Sequence, residues 1–237
     1  MKSNVSKFSL LIIRHGKSIW NQDSKFTGWT NIPLSDTGRK ESVQIAKTLI
    51  HNNLHPNIFF SSVLNRSFET SEIIRKQIGS DSMIYTSWRL NEKHYGNLEG
   101  ISRQYIRDEY GEKFTNMMRS NFYMKPPYIV RDDSIVMEYP VFRNCYFDSI
   151  KNGESKENVL QRLLPYFQND ILSSFDQGKF PIVVTHKHCM RVLMKYYLQL
   201  SDEVFETYKI PSKHIVQMNF DKNYKLLEHK FIPFIET

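Results

Sequence analysis

The sequence predicts an α/β fold with a mostly parallel central sheet. Short apolar runs rich in β-branched residues alternate along the chain with longer segments of helical periodicity, which is typical of βα units. Two of the apolar runs end at a histidine, as expected where parallel strands deliver polar side chains to one edge of a sheet. With 237 residues, 40% of them hydrophobic and 14% aromatic, the chain can bury a sizeable core, and we expect a single domain over 1–237.

The first strand is predicted at 8–13, directly before Arg14-His15-Gly16. A strand that delivers a cation, an imidazole and a glycine to its C-terminal end predicts an anion site, because ligands collect beyond the carboxyl ends of parallel strands. Arg14 can bind an oxyanion with two N–H groups, His15 can act as nucleophile or base, and Gly16 lets backbone N–H groups approach an anion. The long polar and aromatic loop over 14–34 is therefore interpreted as functional.

Helical periodicity follows this loop. The first long helix is predicted to begin at Ser35, to bury Val43, Ala46 and Ile50, and to end before Asn52. The remaining predicted strands are 57–60, 83–85, 181–185, 214–220 and 225–231. The remaining predicted helices are 64–78, capped by Ser61-Ser62, then 102–110, 155–175, 190–199 and a short helix from Ser201. Residues 111–153 lack clear periodicity, and we interpret them as a lid-like insertion over the site.

Charge and cysteine content argue against several classes of function. The net charge of +7 comes from dispersed Lys and Arg without a basic run, so no nucleic-acid partner is expected. No apolar run approaches the roughly 20 residues that span a bilayer, and 1–7 is not followed by a signal-peptide pattern, so we expect a cytoplasmic protein without membrane association. Cys145 and Cys189 are far apart and outside any metal-ligand spacing, which predicts reduced thiols and no metal.

The runs 10–13 and 182–185 share one pattern, an apolar strand that leads to a histidine. If the two strands are neighbours in the sheet, His15 and His186 face each other across one pocket. A histidine pair without ligand-spaced Cys or Asp favours phosphoryl chemistry over zinc binding. Arg66, at the start of a predicted helix, is placed to share the oxygens of a phosphate with the helix N-terminus.

Four motifs are more specific than these general patterns: Arg14-His15-Gly16, Phe26-Thr27-Gly28-Trp29, Ser62-Val63-Leu64-Asn65-Arg66, and Leu90-Asn91-Glu92-Lys93-His94-Tyr95-Gly96. Together they resemble the cofactor-dependent phosphoglycerate mutases, a branch of the histidine phosphatase superfamily, over about 9–227. The resemblance implies a three-layer α/β/α sandwich. It also implies interconversion of 3-phosphoglycerate and 2-phosphoglycerate in glycolysis, primed by 2,3-bisphosphoglycerate and without a metal.

The resemblance implies roles for individual residues. His15 would attack phosphorus and form a phosphohistidine, Glu92 would protonate the leaving oxygen, and Arg14, Arg66 and His186 would neutralise the phosphoryl oxygens. The residues expected to bind the substrate are Ser18, Asn21, Thr27, Gly28, Tyr95, Arg103, Arg119 and, close to the phosphate, Lys187.

The chain departs from the family pattern at several points. Lys187-His188-Cys189 stands where the family has Gly-Asn-Ser, and Arg119-Ser120 stands where it has two arginines. These changes preserve the phosphohistidine residues but alter the substrate envelope. Two alternatives therefore stay open: a phosphohistidine-dependent phosphatase of small phosphorylated metabolites, and a non-catalytic protein that binds a phosphorylated ligand. Because the family is often dimeric or tetrameric, a homo-oligomer is also compatible with the resemblance.

Overall fold

The computed structural model of the chain describes residues 8–128 and 152–236. Its strands form one six-stranded sheet in the order β3-β2-β4-β1-β5-β6. The strands are β1 (Phe8–Arg14), β2 (Ile58–Ser61), β3 (Ile84–Thr86), β4 (Pro181–Thr185), β5 (His214–Phe220) and β6 (Leu226–Pro233). The first four strands are parallel to one another, whereas β5 and β6 are antiparallel additions at one side. The predicted mostly parallel sheet is confirmed.

The helices connect the strands across both faces of the sheet. They are α1 (Ile19–Gln22), α2 (Asp36–His51), α3 (Asn65–Gln77), α4 (Arg103–Ser120), α5 (Lys156–Tyr166), α6 (Lys187–Tyr197) and α7 (Asp202–Thr207). Single turns of 3₁₀ helix lie at Trp88–Leu90 and Gly96–Leu98. After α5 the chain continues through a π-helical turn and a 3₁₀ segment to Gln177, so the helical region predicted from Ser155 is confirmed.

Alternate side chains of β1 enter two different hydrophobic clusters, one on each face of the sheet. Leu10 and Ile12 pack with residues of α5 and α6. Leu11 and Ile13 pack with residues of α2 and α3. Because successive side chains of a strand point to opposite faces, a continuous apolar run is what a strand covered on both faces requires. The three-layer α/β/α arrangement follows from this double burial.

The buried face of α2 differs from the prediction. Ser35 caps the helix as expected, since its hydroxyl accepts from the N–H of Gly38. The helix buries Ile45, Ala46 and Leu49, whereas the predicted core residue Ile50 is 52% exposed. The apolar stripe is thus rotated by a fraction of a turn from the predicted one, since residues separated by one position differ by about 100° around a helix.

The element α4 consists of two helical segments with a kink at Gly111, directly after the helix end predicted at 110, and the second segment continues to Ser120. Gly111 has the non-helical angles φ 82° and ψ 159°, so the first segment ends before this glycine, as predicted, and the second segment begins after it. The first part of the predicted insertion over 111–153 is therefore helical. Residues 129–151 of that insertion, including Cys145, lie outside the described residues, while Cys189 is a buried free thiol.

Among the described residues, no helix is both long enough and apolar enough to cross a membrane. This agrees with the helix lengths given above. Even the 18-residue α4 has only Ile106, Thr115 and Met118 buried.

Candidate active site

The two strand-end histidines lie side by side at the carboxyl edge of the sheet. β1 and β4 are neighbouring parallel strands, with Arg14 paired to Thr185. The next residue in each strand is a histidine, and the N–H of His15 donates to the carbonyl of Thr185 at 3.0 Å. The centroids of the His15 and His186 rings are 4.8 Å apart. The prediction that neighbouring strands bring these two imidazoles together is confirmed.

The hydrogen bond at one nitrogen of His15 determines which nitrogen is available for chemistry. Nδ1 lies 2.6 Å from the carbonyl oxygen of Gly16. Because a carbonyl oxygen can only accept, Nδ1 holds the proton of the neutral ring. The lone pair is then on Nε2. The ring is 6% exposed and lines a cavity, so this lone pair can reach a bound ligand.

Both imidazoles are neutral at pH 7. Burial lowers the pKa of His15 well below its ordinary value of 6.5, and the charges of Arg66 and Arg14 lower it further, while the bond to Gly16 acts in the opposite direction. Burial and the nearby Arg66 also lower the pKa of His186 well below 6.5. A neutral His15 suits a nucleophile. A neutral His186 differs from the expected cation, and in the unliganded site it can contribute an N–H donor only.

A serine orients His186. The hydroxyl of Ser62 lies 2.7 Å from Nε2 of His186, while the buried Nδ1 has no hydrogen-bond partner in the described part of the chain. Ser61 and Ser62 were predicted to cap α3. Instead, Leu64 occupies the N-cap position and makes no side-chain bond there. The hydroxyl of Ser62 thus serves the histidine and not the helix.

Residues just after β1 take structural roles that differ from the prediction. The N–H of Gly16 donates to Oγ1 of Thr70 at 3.1 Å and is therefore used within the protein. The hydroxyl of Ser18 accepts from the N–H of Asn21 and caps α1, and Ser18 lines neither of the cavities beside His15. Asn21 does line them, and its Oδ1 accepts from Nη2 of Arg14 at 3.4 Å.

Arg66 connects the start of α3 to the loop that precedes α2. It is 1% exposed, with Nη1 donating to the carbonyl of Thr30 at 3.0 Å and Nη2 donating to that of Gly28 at 2.6 Å. Burial lowers the pKa of Arg66 to about 10, against the opposing effect of Glu92, so the guanidinium stays charged at pH 7. Because a guanidinium has five N–H donors, it can fasten the loop and still face an anion in the cavity.

The loop held by Arg66 is also fastened by Glu99, which the sequence did not identify. Its carboxylate accepts from the backbone N–H groups of Trp29, Thr30 and Tyr95 at 2.9–3.0 Å. Gly28 has φ +53°, and a Cβ at this position would overlap the Glu99 carboxylate. The close approach of the loop to Glu99 therefore requires glycine at position 28.

Glu92 lies just after the 3₁₀ turn Trp88–Leu90 and lines the same cavity as His15. One carboxylate oxygen, Oε1, accepts from the N–H groups of Lys93 at 2.8 Å and His188 at 3.3 Å. The other oxygen forms no hydrogen bond with any residue in the described ranges. The ammonium of Lys93 does not pair with this carboxylate, because it is buried and donates to the carbonyls of Met118 and Met124. The carboxyl of Glu92 is thus held in place with one oxygen free.

Arg162 holds the backbone of Glu92 in place and is itself fixed by a salt bridge to Glu154. Nε of Arg162 donates to Glu154 at 2.7 Å, and both side chains are buried. Nη2 of the same arginine donates to the carbonyls of Asn91 at 2.8 Å and Glu92 at 2.9 Å. Sequence reasoning missed this arginine, since a single Arg in a helix has no distinguishing pattern.

Most of the predicted site residues line one small cavity at this edge. They are Arg14, His15, Asn21, Thr27, Gly28, Arg66, Glu92, Tyr95, Arg103, Arg119 and Lys187. His188, which was noted only as a departure from the family pattern, also lines it, and its Nε2 lies 2.8 Å from the hydroxyl of Tyr95. Five guanidinium or ammonium groups against one carboxylate make the cavity an anion site.

A larger cavity of about 350 Å³ adjoins the small one. Both are lined by Arg14, His15, Asn21, Arg103 and Lys187, so they are two parts of one site. Burial and the neighbouring cations Arg119 and Arg14 lower the pKa of Lys187 to about 8. Lys187 therefore stands at the junction of the two cavities as a cation that a bound anion would stabilise.

No group of three or more His, Cys, Asp or Glu suited to a metal ion occurs among the described residues. The charged groups that line the small cavity with His15 are mainly the N–H donors of arginine and lysine side chains.

The neutral buried histidines predict a pH dependence of stability. Burial also lowers the pKa of His188 well below 6.5. Above pH 6.5 these rings are neutral whether the chain is folded or unfolded; below it, the unfolded chain binds protons that the folded protein excludes. We therefore expect the free energy of unfolding to fall as the pH falls below about 6.5.

Urea denaturation between pH 7.5 and 5 measures this effect. The variant His188→Gln should reduce the slope of the unfolding free energy against pH by up to about 1.4 kcal/mol per pH unit. The matched control is His51→Gln at the exposed end of α2, which should leave the slope unchanged. Equal slopes in wild type and His188→Gln would contradict a neutral buried His188.

The chain is similar to known proteins over most of its length. The family model described as histidine phosphatase superfamily (branch 1) matches residues 10–232. A 2,3-bisphosphoglycerate-dependent phosphoglycerate mutase of Hydrogenobaculum sp. is 30% identical over 97% of this chain and 94% of its own length. A protein of the same name from Tropheryma whipplei is 36% identical over 82% of this chain and 85% of its own length.

The fold is also found among solved structures. A mycobacterial glucosyl-3-phosphoglycerate phosphatase superposes with a TM-score of 0.72 at 19% identity, covering 97% of this chain and all of that one. This likeness confirms the layered sheet architecture derived above.

Proposed function

This chain belongs to the histidine phosphatase superfamily, branch 1, and on that premise we propose that it is a 2,3-bisphosphoglycerate-dependent phosphoglycerate mutase of the cytoplasm. The observation that carries the proposal is the neutral His15, with its proton on Nδ1 and its lone pair beside a cavity rich in cations. The mutases named above are similar to this chain over most of its length, which supports phosphoglycerate as the substrate.

The first step is attack by Nε2 of His15 on the phosphorus of 2,3-bisphosphoglycerate. The N–P bond forms as the P–O bond to the glycerate breaks, with the attacking nitrogen and the leaving oxygen on opposite sides of phosphorus. The bond from Nδ1 to the Gly16 carbonyl supports this step, because the positive charge that develops on the ring is shared with an acceptor. The phosphoryl group then passes from Nε2 to O2 of 3-phosphoglycerate, which gives 2,3-bisphosphoglycerate in the site. The phosphoryl group on O3 of that molecule returns to Nε2 of His15 as the O3–P bond breaks, and 2-phosphoglycerate leaves.

The transferred phosphoryl group needs positive charge and N–H donors around its oxygens. Arg14 and Arg66, which line the small cavity, provide the charge. His186 does not line the cavity, but its neutral ring packs against His15 and would provide an N–H to a phosphoryl group on that residue. A bound phosphoryl dianion also offsets the arginine charges that lower the pKa of His186, and this favours the protonated ring in the complex.

Glu92 gives its proton to the oxygen that leaves phosphorus and recovers a proton from the incoming hydroxyl. Two N–H groups fix Oε1 of Glu92, whereas Oε2 is free. The free oxygen is the one that can exchange a proton with a substrate, which supports this role. Arg103 and Arg119 face the same cavity and are suited to the substrate carboxylate, with Asn21, Thr27 and Tyr95 as hydrogen-bonding partners.

The proposal is tested by following 3-phosphoglycerate, with a trace of 2,3-bisphosphoglycerate, by ³¹P NMR. We expect 2-phosphoglycerate to form much faster than inorganic phosphate, and the rate to fall when the bisphosphate primer is omitted. Release of phosphate far faster than isomerisation would overturn the mutase assignment while leaving the phosphohistidine intact.

A phosphatase is the second candidate, and the larger cavity beside His15 favours it. A phosphohistidine next to about 350 Å³ of open space is accessible to water, whereas a mutase must keep water from its intermediate. His15 and Glu92 line one cavity and His186 packs against His15, which argues against the third candidate, a non-catalytic binding protein.

A further inference from the structure

Tyr95 is held in the small cavity so that only its hydroxyl hydrogen can turn. The side chain is 7% exposed, and its ring packs against Phe26 with the two ring centroids 4.9 Å apart. Nζ of Lys93 lies 5.3 Å from the centroid of the Tyr95 ring. Burial raises the pKa of Tyr95 well above its ordinary value of 10, so the hydroxyl keeps its proton at pH 7. Because a phenol both donates and accepts, the direction of this hydrogen decides what the hydroxyl can bind.

The imidazole of His188 lies directly against this hydroxyl. Nε2 of His188 is 2.8 Å from the oxygen of Tyr95, and the two ring centroids are 6.1 Å apart. The backbone N–H of His188 donates to Oε1 of Glu92 at 3.3 Å, which fixes the residue in the first turn of α6. The family pattern has asparagine at this position and therefore does not include the imidazole contact.

The second ring nitrogen indicates which atom of His188 carries the proton. Burial lowers the pKa of His188 well below 6.5, and the charges of Lys156 and Lys93 act in the same direction, so the ring is neutral. Nδ1 is buried and has no hydrogen-bond partner in the described part of the chain. A buried N–H without a partner is rarer in proteins than a buried acceptor without one. The lone pair is therefore on Nδ1, and Nε2 carries the proton and donates to the oxygen of Tyr95.

A hydroxyl oxygen that accepts from Nε2 of His188 directs its own hydrogen elsewhere. The Tyr95 hydroxyl has no second hydrogen-bond partner among the residues that the structure describes. Arg119 and Arg103 line the same cavity, and their charges act on the pKa of Tyr95, so both guanidinium groups lie near it. Since a guanidinium cannot accept a hydrogen bond, the hydrogen of Tyr95 is available to an anion that these arginines attract.

We propose that His188 is a positioning residue, which fixes the Tyr95 hydroxyl as a donor to the substrate carboxylate beside Arg103 and Arg119. The inference rests on the proposed function, which assigns the carboxylate to these two arginines. An oxygen engaged by His188 binds a ligand oxygen without a proton better than it binds a ligand hydroxyl. The pair therefore adds to the preference of the site for a phosphorylated acid over a phosphorylated alcohol.

Nitrogen NMR tests the protonation of the ring without any ligand. In ¹⁵N-labelled protein at pH 8, the long-range ¹H–¹⁵N spectrum distinguishes a nitrogen that carries a proton from one that carries a lone pair. We expect the proton of His188 on Nε2, with its resonances identified as those lost in His188→Gln. A proton on Nδ1 would overturn the proposal, because Tyr95 would then donate to His188 and not to the substrate.

A double-mutant cycle on the affinity for 3-phosphoglycerate, measured by calorimetry without the bisphosphate primer, tests the positioning role. Tyr95→Phe and His188→Leu should each raise Kd about 10-fold, as for loss of one hydrogen bond to a charged group. The double variant should bind no more weakly than Tyr95→Phe, because His188 acts through the hydroxyl. His188→Gln keeps an N–H donor and should recover most of the affinity. Additive losses in the double variant would overturn the proposal.

Glycerol 3-phosphate, which has an alcohol in place of the carboxylate, is the comparison ligand. His188→Leu should reduce the preference for 3-phosphoglycerate over glycerol 3-phosphate about 5-fold. The matched control for the tyrosine is Tyr105→Phe, an exposed residue of α4 outside both cavities, which should leave this preference unchanged. A preference that His188→Leu does not alter would overturn the proposal and leave the proposed function standing. Failure of the wild-type protein to bind 3-phosphoglycerate would instead reject the proposed function and this inference with it.

Discussion

Replacing His15 with alanine should abolish phosphorylation of the protein by 2,3-bisphosphoglycerate. The nucleophile and its lone pair are removed, and the neighbouring His186 cannot substitute for it, because its Nε2 is engaged by Ser62 and its Nδ1 is buried. We expect mutase activity to fall on the order of 10⁵-fold, as for loss of the attacking group in other covalent mechanisms. Acid-labile phosphate measured by mass spectrometry and turnover of 3-phosphoglycerate provide the two readouts.

The control for this variant is His55→Ala, an exposed histidine in the turn before β2, which should retain full phosphorylation. Circular dichroism should show the same fold for both variants, because β1 and its packing on both faces do not depend on the imidazole. Phosphate that still appears on the His15→Ala protein, at any site within reach of the cavity, would show that another residue is the nucleophile.

Glu92→Gln should slow the reaction of phosphoglycerate about 10³-fold. Glutamine keeps a carbonyl oxygen that accepts from the N–H groups of Lys93 and His188, so the turn after β3 is preserved. What it loses is the proton that the leaving alkoxide requires. A substrate whose leaving group is already stable as an anion should not need that proton.

The comparison of two esters therefore isolates the role of Glu92. With para-nitrophenyl phosphate, we expect Glu92→Gln to retain phosphate release to within about 10-fold of the wild type, because nitrophenolate leaves without a proton. The single-turnover rate of phosphohistidine formation is the measurement to compare. An equally large loss with both esters would mean that Glu92 acts by positioning or charge and not as the acid.

Local sequence patterns were sufficient for the elements that bear the site. The apolar run before His15 and the matching run before His186 each predict a strand, and neighbouring parallel strands bring their ends together. The N-cap at Ser35 was also predictable, because its hydroxyl accepts from the N–H of Gly38, which is only three residues further along the chain. At Ser35, whose bond spans only three residues, the prediction and the structure agree.

Predictions failed where a competing partner was distant. Ser62 was expected to cap the following helix, but its hydroxyl bonds His186, 124 residues away. For Lys93 no partner was predicted, and its buried ammonium donates to the distant carbonyls of Met118 and Met124. The buried face of α2 was misassigned at Ile50 because periodicity alone does not determine which side of a stripe meets the sheet.

The amino-acid sequence by itself predicted two strands that each lead to a histidine, since strand formation depends on neighbouring residues. The two histidines meet because the tertiary structure makes these strands neighbours. Only the tertiary structure decided the chemical state of those groups. The neutrality of His15 and His186 comes from burial and from the charge of Arg66. Arg66 is more than 50 residues away from either histidine in the sequence, and the fold brings it next to them. Desolvation and Coulomb interaction act through space, and a one-dimensional pattern does not contain those distances.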